Sequence, residues 1–420
     1  MSDSSPQPSK PVNKKRKRVN VRRPDVMALV QSEVEQHYRS SIVEKLRSHG
    51  GELTIGNTTI RLAQKFGFCY GVERAIDLAY ATRKVFQDQR IFLIGEIIHN
   101  PEVNAQLREM GIVSLPWREM GKDYDDLNED DVVIVPAFGA PTSFMDKLAE
   151  IGCHVIDTTC GDVMKVWRRV RDYAKNDVTS IIHGKADHEE TRATASRALG
   201  TSKNGHYLVI LTLKDADEVC EYIRGNGNRE AFMEKFGSAC SEGFDPDVHL
   251  VSVGVANQTT MLQSETEELQ NRVRQAIVDR DGDDSLYHVF DTICGATQER
   301  QGALFNMLDT SDKKPMDILL VVGGYNSSNT THLAEIGQEN LPTFFIRNAK
   351  CMESMERILH YDLEHKQEIE SEYTGIALKD KPAIIGVTAG ASCPNNLIES
   401  TIIRALELRG ISREELEAID

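Results

Sequence analysis

Asp157-Thr158-Thr159-Cys160-Gly161 and Asp291-Thr292-Ile293-Cys294-Gly295 are two copies of one short unit, 134 residues apart. Each follows an apolar run, His154-Val155-Ile156 and His288-Val289-Phe290, and each opens a charged amphipathic segment. A strand that ends in a polar turn and hands over to a helix is the repeating step of an α/β fold. A looser third copy, Gly67-Phe68-Cys69-Tyr70-Gly71-Val72-Glu73-Arg74-Ala75, places Cys69 91 residues before Cys160. Three cysteines therefore stand at strand-to-helix junctions. Their spacing predicts three similar α/β lobes, each presenting one thiol to a shared centre.

Outward from these junctions, short apolar runs alternate with helical segments. The runs 90–94, 131–135, 207–211, 318–322 and 383–387 are nearly continuous in Val, Ile and Leu. Such strands belong to mostly parallel sheets covered on both faces. The predicted lobes are 61–156, 157–290 and 291–420, the last ending in a helix. Ahead of them Val26, Val30, Val34, Tyr38, Ile42 and Leu46 recur every fourth residue. That pattern predicts an N-terminal helical extension over 24–60.

The chain of 420 residues is 40% hydrophobic and 27% charged, a globular composition with room for several lobes. No apolar stretch approaches the ~18 residues of a membrane span, and residues 1–10 lack the apolar core of a secretory signal. A cytoplasmic protein is expected. Residues 1–23 hold eight Lys/Arg, clustered at 14–18 and 22–23, against the single acid Asp3. Without them the net charge moves from −16 to −23. This tail reads as disordered and solvated rather than as a nucleic-acid arm, a nuclear signal or a plastid transit segment. The acidic body repels phosphates, which argues against a nucleic-acid partner.

The eight cysteines are Cys69, Cys153, Cys160, Cys220, Cys240, Cys294, Cys351 and Cys393. In a chain of this class they read as thiols rather than disulfides. No C-x-x-C pair occurs, so zinc ribbons and short ferredoxin runs are unsupported, and metal ligands have to converge from distant segments. A helix N-terminus favours the thiolate form, and neighbouring glycines let backbone N–H groups approach a bulky inorganic group. Three thiolates are one short of a cubane's usual four. The fourth iron of such a cluster is open to a substrate oxygen, as Lewis acid and electron source.

The other strand ends carry neutral polar loops: 95–100 with His99, 182–191 with His188, 257–260 with Thr259, 326–329 with Ser327, Ser328 and Asn329, and 388–392 with Ser392. Ligands of parallel α/β sheets bind at such ends. Hydroxyls, amides, imidazoles and backbone N–H groups together suit a diphosphate held without magnesium. No nucleotide-binding glycine loop accompanies them. Glu190, between His188 and Thr191, suits a general acid if burial holds its proton.

Phe66-Gly67-Phe68-Cys69, residues 96–100, 157–160, 188–191, Gln258-Thr259-Thr260, 291–294, 326–329 and 386–394 resemble, in order, the motif series of the hydroxymethylbutenyl diphosphate reductases, the LytB (IspH) family. The resemblance spans about 65–397. It implies a trefoil of three α/β lobes around a central [4Fe–4S] cluster bound by Cys69, Cys160 and Cys294, with an open fourth iron. By the same resemblance His99, His188, Thr259, Ser327, Ser328, Asn329 and Ser392 hold an allylic diphosphate, and Glu190, His188 and Thr259 serve catalysis. The implied oxidoreductase reaction is the reductive dehydroxylation of (E)-4-hydroxy-3-methylbut-2-enyl diphosphate to isopentenyl and dimethylallyl diphosphates. It is the last step of the methylerythritol phosphate route of isoprene biosynthesis, with electrons from a ferredoxin or flavodoxin. Phe138 stands where the shorter bacterial form has histidine, Gly161 where it has proline, and Tyr70 where it has a small residue. With the insertions 223–247 and 349–380, these traits resemble the longer plant and cyanobacterial branch.

Two other classes compete. An iron–sulfur hydro-lyase needs carboxylate-binding arginines where this chain has Ser, Thr and Asn. A zinc-stabilised binding protein needs a structural Cys₃His site.

Overall fold

The computed structural model of the chain describes residues 20–290, 293–309, 313–354, 356–372 and 380–417. Most of the basic tail, together with Asp291 and Thr292 of the repeated unit, lies outside the described residues. Among the described residues no helix is long and apolar enough to cross a membrane.

Strands β1 (Glu52–Ile55) and β2 (Thr58–Leu62) form an antiparallel pair. Strands β3 (Ile91–Ile94), β4 (Ile112–Leu115), β5 (Val132–Val135) and β6 (His154–Asp157) build a parallel sheet in the order β4-β3-β5-β6. Strands β7 (Thr179–His183), β8 (Tyr207–Ile210), β9 (Val253–Asn257) and β10 (Tyr287–Val289) build a second, in the order β10-β9-β7-β8. Strands β11 (Ile318–Val322) and β12 (Thr343–Ile346) start a third, β13 (Arg357–Asp362) and β14 (Gln367–Glu372) form a separate hairpin, and β15 (Ala383–Ala389) returns beside β11. Every residue of β5 and β11 is buried, as continuous apolar strands demand when helices cover both faces. The α/β class and the mostly parallel sheets match the sequence-based expectation.

The expected extension over 24–60 differs in two ways. β1 and β2 do not stand apart: β2 pairs parallel with β15, which gives the third sheet the order β1-β2-β15-β11-β12. The N-terminal strands thereby close the chain onto its last lobe. Nor is the helical part continuous. It is two helices, Pro24–Tyr38 and Ser41–Ser48, with the Ser40 side chain capping the second by accepting from Val43 N–H at 2.9 Å.

Helical geometry explains the break. At ~100° per residue, the 20 residues from Val26 to Leu46 accumulate about 200° beyond whole turns, so one straight helix cannot keep both on one face. The interruption resets the phase. Val26 and Val30 pack with Ala75, Ile76 and Ala79 on the first lobe, while Ile42, Val43 and Leu46 pack with Ile60, Leu320 and Val387 on the third. Leu46 is fully buried. Leu46→Ala is expected to destabilise the chain by about 2–5 kcal/mol, read as a lowered Tm in thermal denaturation; an unchanged Tm would show that the second helix is only laid on the surface.

Candidate active site

Each predicted junction cysteine is the N-cap residue of the helix that follows it. Cys69 precedes Tyr70–Val85, Cys160 precedes Gly161–Lys175, and Cys294 precedes Gly295–Leu308. Each lies beyond the end of a strand of one sheet (β2, β6 and β10), and the helix it opens packs against the next. Ala75, Ile76 and Ala79 meet Ile91, Leu93 and Ile134; Val166 and Val170 meet Ala256; Leu304 and Met307 meet Leu319 and Val321. The three lobes thus interlock head to tail. Their N-caps line one cavity of about 840 Å³, with Gly71, Gly161 and Gly295 beside the thiols.

The cysteine backbones are tied to the polar loops. Cys69 N–H donates to Ala391 O at 3.2 Å, Cys160 N–H to Ala137 O at 2.7 Å, and Cys294 N–H to Thr259 O at 3.3 Å. Ala391 adjoins Ser392 and Ala137 adjoins Phe138, so each thiol is registered against a loop residue of interest.

Two of the thiols, Cys160 and Cys294, do not follow the helix-terminus expectation. Cys294 Sγ faces Thr297 N–H at 3.3 Å and Thr297 Oγ1 at 2.9 Å, yet burial pushes its pKa up to about 12. Burial likewise raises Cys160, against the N–H groups of Asp162 and Val163. Desolvation of the anion outweighs the helix end at both positions. A metal centre supplies the missing positive charge, and thiols of this kind release protons on binding it.

The donor set fits a cluster better than a single ion. Thiolates on one zinc, at ~2.3 Å each, sit roughly 4 Å apart. Among the described residues, the trio of candidate ligand atoms all within 4.8 Å of one another is His99, His188 and Glu189, not the three sulfurs. Close approach is built in at Gly71, where a Cβ would stand 2.6 Å from Cys160 Sγ and 3.9 Å from Cys69 Sγ. Cβ atoms built at Gly161 and Gly295 would meet nothing within 4 Å. Three soft thiolates spaced around an open volume, with no imidazole lining it, suit an iron–sulfur cluster rather than a Cys₃His zinc site.

Glu190 is 4% exposed. Its carboxyl accepts from Thr259 N–H at 2.6 Å and from Thr259 Oγ1 at 3.1 Å. Burial raises its pKa to about 7, although both bonds favour the charged form. Thr259 therefore touches Glu190 through its N–H and side chain, and Cys294 through its carbonyl.

His188 caps the helix Glu189–Ala198 by accepting from Glu190 N–H at Nδ1, 3.1 Å away. An accepting Nδ1 assigns the proton to Nε2, and burial holds the ring neutral by lowering its pKa well below the ordinary value. His99 Nδ1 lies 3.2 Å from Glu96, and its buried Nε2 has no hydrogen-bond partner in the protein. Phe138 stacks on the His99 ring at 4.7 Å and 10°. Phe138 thus props the His99 ring.

Ser327 caps the helix Ser328–Gln338. Ser392 Oγ reaches both His99 O, at 3.2 Å, and Ser327 Oγ, at 3.4 Å, while Asn329 Oδ1 accepts from Ala391 N–H at 2.9 Å. These bonds tie Ser327, Asn329 and Ser392 to the His99 and Ala391 loops, but none of them reaches the loop of Thr259. Gln258 closes the gap, and sequence reasoning assigned it no role. Its Nε2 donates to Ser328 Oγ at 3.0 Å and Thr260 Oγ1 at 2.9 Å, and its Oε1 accepts from Thr191 Oγ1 and Lys185 N–H, both at 3.2 Å. Its place beside Thr259 was the available signal. Glu189, 3.6 Å from His99 Nε2, was also missed, because an acid in a first helical turn is ordinary in sequence.

Comparison with known proteins identifies the family and the fold. The sequence profile of the family described as LytB protein matches residues 60–407. The 4-hydroxy-3-methylbut-2-enyl diphosphate reductase of Gloeobacter violaceus is 46% identical over 392 residues, 91% of this chain and 91% of that protein. The reductase of the same name from Thermosynechococcus vestitus is 45% identical over 387 residues, 91% of this chain and 93% of that protein. The solved structure of the E-1-hydroxy-2-methyl-but-2-enyl-4-diphosphate reductase from Plasmodium falciparum has the same fold, with a TM-score of 0.59 at 20% identity over 84% of this chain and 90% of that one. With the profile spanning most of the chain and relatives this similar along nearly their whole length, the chain belongs to the LytB family.

Proposed function

We propose that the chain is a 4-hydroxy-3-methylbut-2-enyl diphosphate reductase: an oxidoreductase that removes the allylic hydroxyl as water and yields isopentenyl and dimethylallyl diphosphates. The observation that carries the reading is the Glu190–Thr259–Cys294 contact, which ties a proton-holding carboxyl to the backbone of one of the three cysteines around a single cavity. Cys69, Cys160 and Cys294 hold a [4Fe–4S] cluster. When bound, that cluster supplies the two electrons, received singly from a ferredoxin or flavodoxin, and an open iron for the hydroxyl.

The protein's own groups do the rest. His188 Nε2–H and His99 Nε2, which makes no hydrogen bond in the protein, contribute imidazoles to the diphosphate. Ser327, Ser328, Asn329 and Ser392 add hydroxyl and amide donors, and Gln258 holds their loop against Thr259's. Glu190 keeps its proton because burial disfavours the carboxylate, and an anionic diphosphate nearby strengthens that preference. It passes the proton through Thr259 Oγ1 to the departing hydroxyl. The C–O bond breaks, the departing hydroxide takes one proton and leaves as water, and the second proton forms the new C–H bond, so two electrons and two protons are consumed.

The test is an anaerobic assay with the hydroxymethylbutenyl diphosphate and a small chemical reductant. Both isomeric diphosphates are expected, from brown protein that bleaches in air. Colourless zinc protein without turnover would overturn the reading, and hydration without reductant would favour a hydro-lyase.

A further inference from the structure

Arg300 is a buried cation with no ion-pair contact among the described residues. It is 4% exposed, on the second turn of the helix that Cys294 opens. One terminal nitrogen donates to Ala296 O at 2.8 Å, the other donates to Gly67 O, and Nε has no hydrogen-bond partner. Among the described residues no carboxylate forms an ion pair with it, whereas the equally buried Arg61 has Glu52 at 2.8 Å. The strongest attractions offsetting its burial are to Cys69 and Cys294, ahead of Glu299 and Glu73. A guanidinium taken out of water is costly unless compensating negative charge is close. In this chain the strongest such source is Cys69 and Cys294, once a bound metal centre makes them thiolates.

The position recurs around the ring. Arg74, on the Cys69 helix, donates to Thr158 O and Thr159 O at 3.1 and 3.2 Å, just before Cys160. Arg169, on the Cys160 helix, lies over the Phe290 ring at 4.0 Å, four residues before Cys294. Arg300 completes the circuit by reaching Gly67, two residues before Cys69. Each cysteine-bearing helix thus grips the loop that presents the next cysteine. Of the three arginines, only Arg300 is fully buried, so only there does the charge escape solvent screening.

We propose that Arg300 is a positioning residue whose guanidinium acts electrostatically. Fixed between the Cys294 helix and the Cys69 loop, it offsets the negative charge of the centre that Cys69 and Cys294 hold, and so favours the reduced state of that centre. The proposal rests on the cluster reading above. Three thiolates give the centre negative charge, and an added electron increases it. A fixed cation in a low-dielectric setting stabilises the more negative state and raises the reduction potential.

The experiment uses the full chain, purified and reconstituted anaerobically, with redox titration followed by electron paramagnetic resonance and with iron content measured separately. Arg300→Gln keeps an N–H donor for Gly67 O but loses the charge. At the potential that half-reduces the wild type, its ratio of reduced to oxidised centre is expected to fall at least tenfold, about 59 mV for a one-electron couple. Arg300→Lys keeps the charge and is expected to stay within about threefold of the wild type. Arg74→Met removes an equivalent grip at a half-buried position and is expected to leave the ratio unchanged.

An unchanged ratio in an iron-replete Arg300→Gln chain overturns the proposal. So does loss of iron from both Arg300 variants, since the side chain would then only space the lobes. A wild-type chain that accepts no cluster sinks the cluster reading instead.

Discussion

Replacing Cys160 by serine is expected to remove most of the iron and to lower turnover more than about 100-fold, beyond the usual cost of losing a group that merely supports a ligand. Serine is nearly isosteric, but its oxygen is hard and remains protonated where a thiolate binds iron. The loss falls on a thiol shared between lobes. Cys160 is the N-cap of a helix on the second sheet, follows a strand of the first, and would collide with any Cβ at Gly71 on the Cys69 helix. Cys69→Ser and Cys294→Ser are expected to behave alike. Cys153, Cys220 and Cys351 are buried in the apolar cores of separate lobes and should tolerate serine with little change in iron. Cys393 is fully buried in the third-lobe core and belongs with them, despite adjoining Ser392. Iron and labile sulfide per chain, with a thermal melt to show that each variant folds, check the set. Full occupancy in Cys160→Ser would end the three-thiol reading.

Glu190→Gln is expected to lower kcat at least about 100-fold while leaving diphosphate affinity nearly unchanged, because the amide keeps the shape but has no proton to give at neutral pH. The pH profile sharpens the test. Burial raises the Glu190 pKa to about 7, so the wild-type kcat should fall as pH rises through that value, and the residual activity of Glu190→Gln should lose that step. Stability follows the same sign. Between the ordinary carboxyl value of 4.5 and about 7, the folded chain keeps a proton that the unfolded chain has lost. The stability contributed by that proton is complete below the unfolded value and gone above about pH 7, a change on the order of 3 kcal/mol in the metal-free chain. Denaturant titrations across this window should show the decline in the wild type and not in Glu190→Gln.

Ser392→Ala is the counterpart. Its hydroxyl joins Ser327 to the His99 loop, so its loss should raise KM more than it lowers kcat. A near-normal kcat in Glu190→Gln would remove the proton role from that residue.

Much of this was legible in the residues because it is local. Apolar runs such as 318–322 can satisfy their burial only as covered strands, and a cysteine flanked by glycine after such a run is readable as a junction from the chain alone. Glu190 was legible as a candidate, but its raised pKa was not. That depends on burial by the packing of distant segments around it, which outweighs the two bonds from Thr259, 69 residues away. The thiol expectation failed for the same reason: a helix terminus is visible in sequence, whereas the desolvation that outweighs it at Cys160 and Cys294 is not.

By itself, then, the sequence determined the α/β class, the three thiol-bearing junctions and the set of polar loops, since each follows from propensity and periodicity within about twenty residues. Tertiary structure alone decided how the ring closes. The strand Thr58–Leu62 carries no mark of its partner, and only packing sends it beside Ala383–Ala389, some 320 residues on. That one pairing turns three lobes in a row into a closed ring and brings Cys69 to Cys160 and Cys294. It also decided that Arg300 meets Gly67 and that Gln258 spans two lobes. These are contacts between distant segments, whose energy depends on mutual burial rather than on any local preference of the chain.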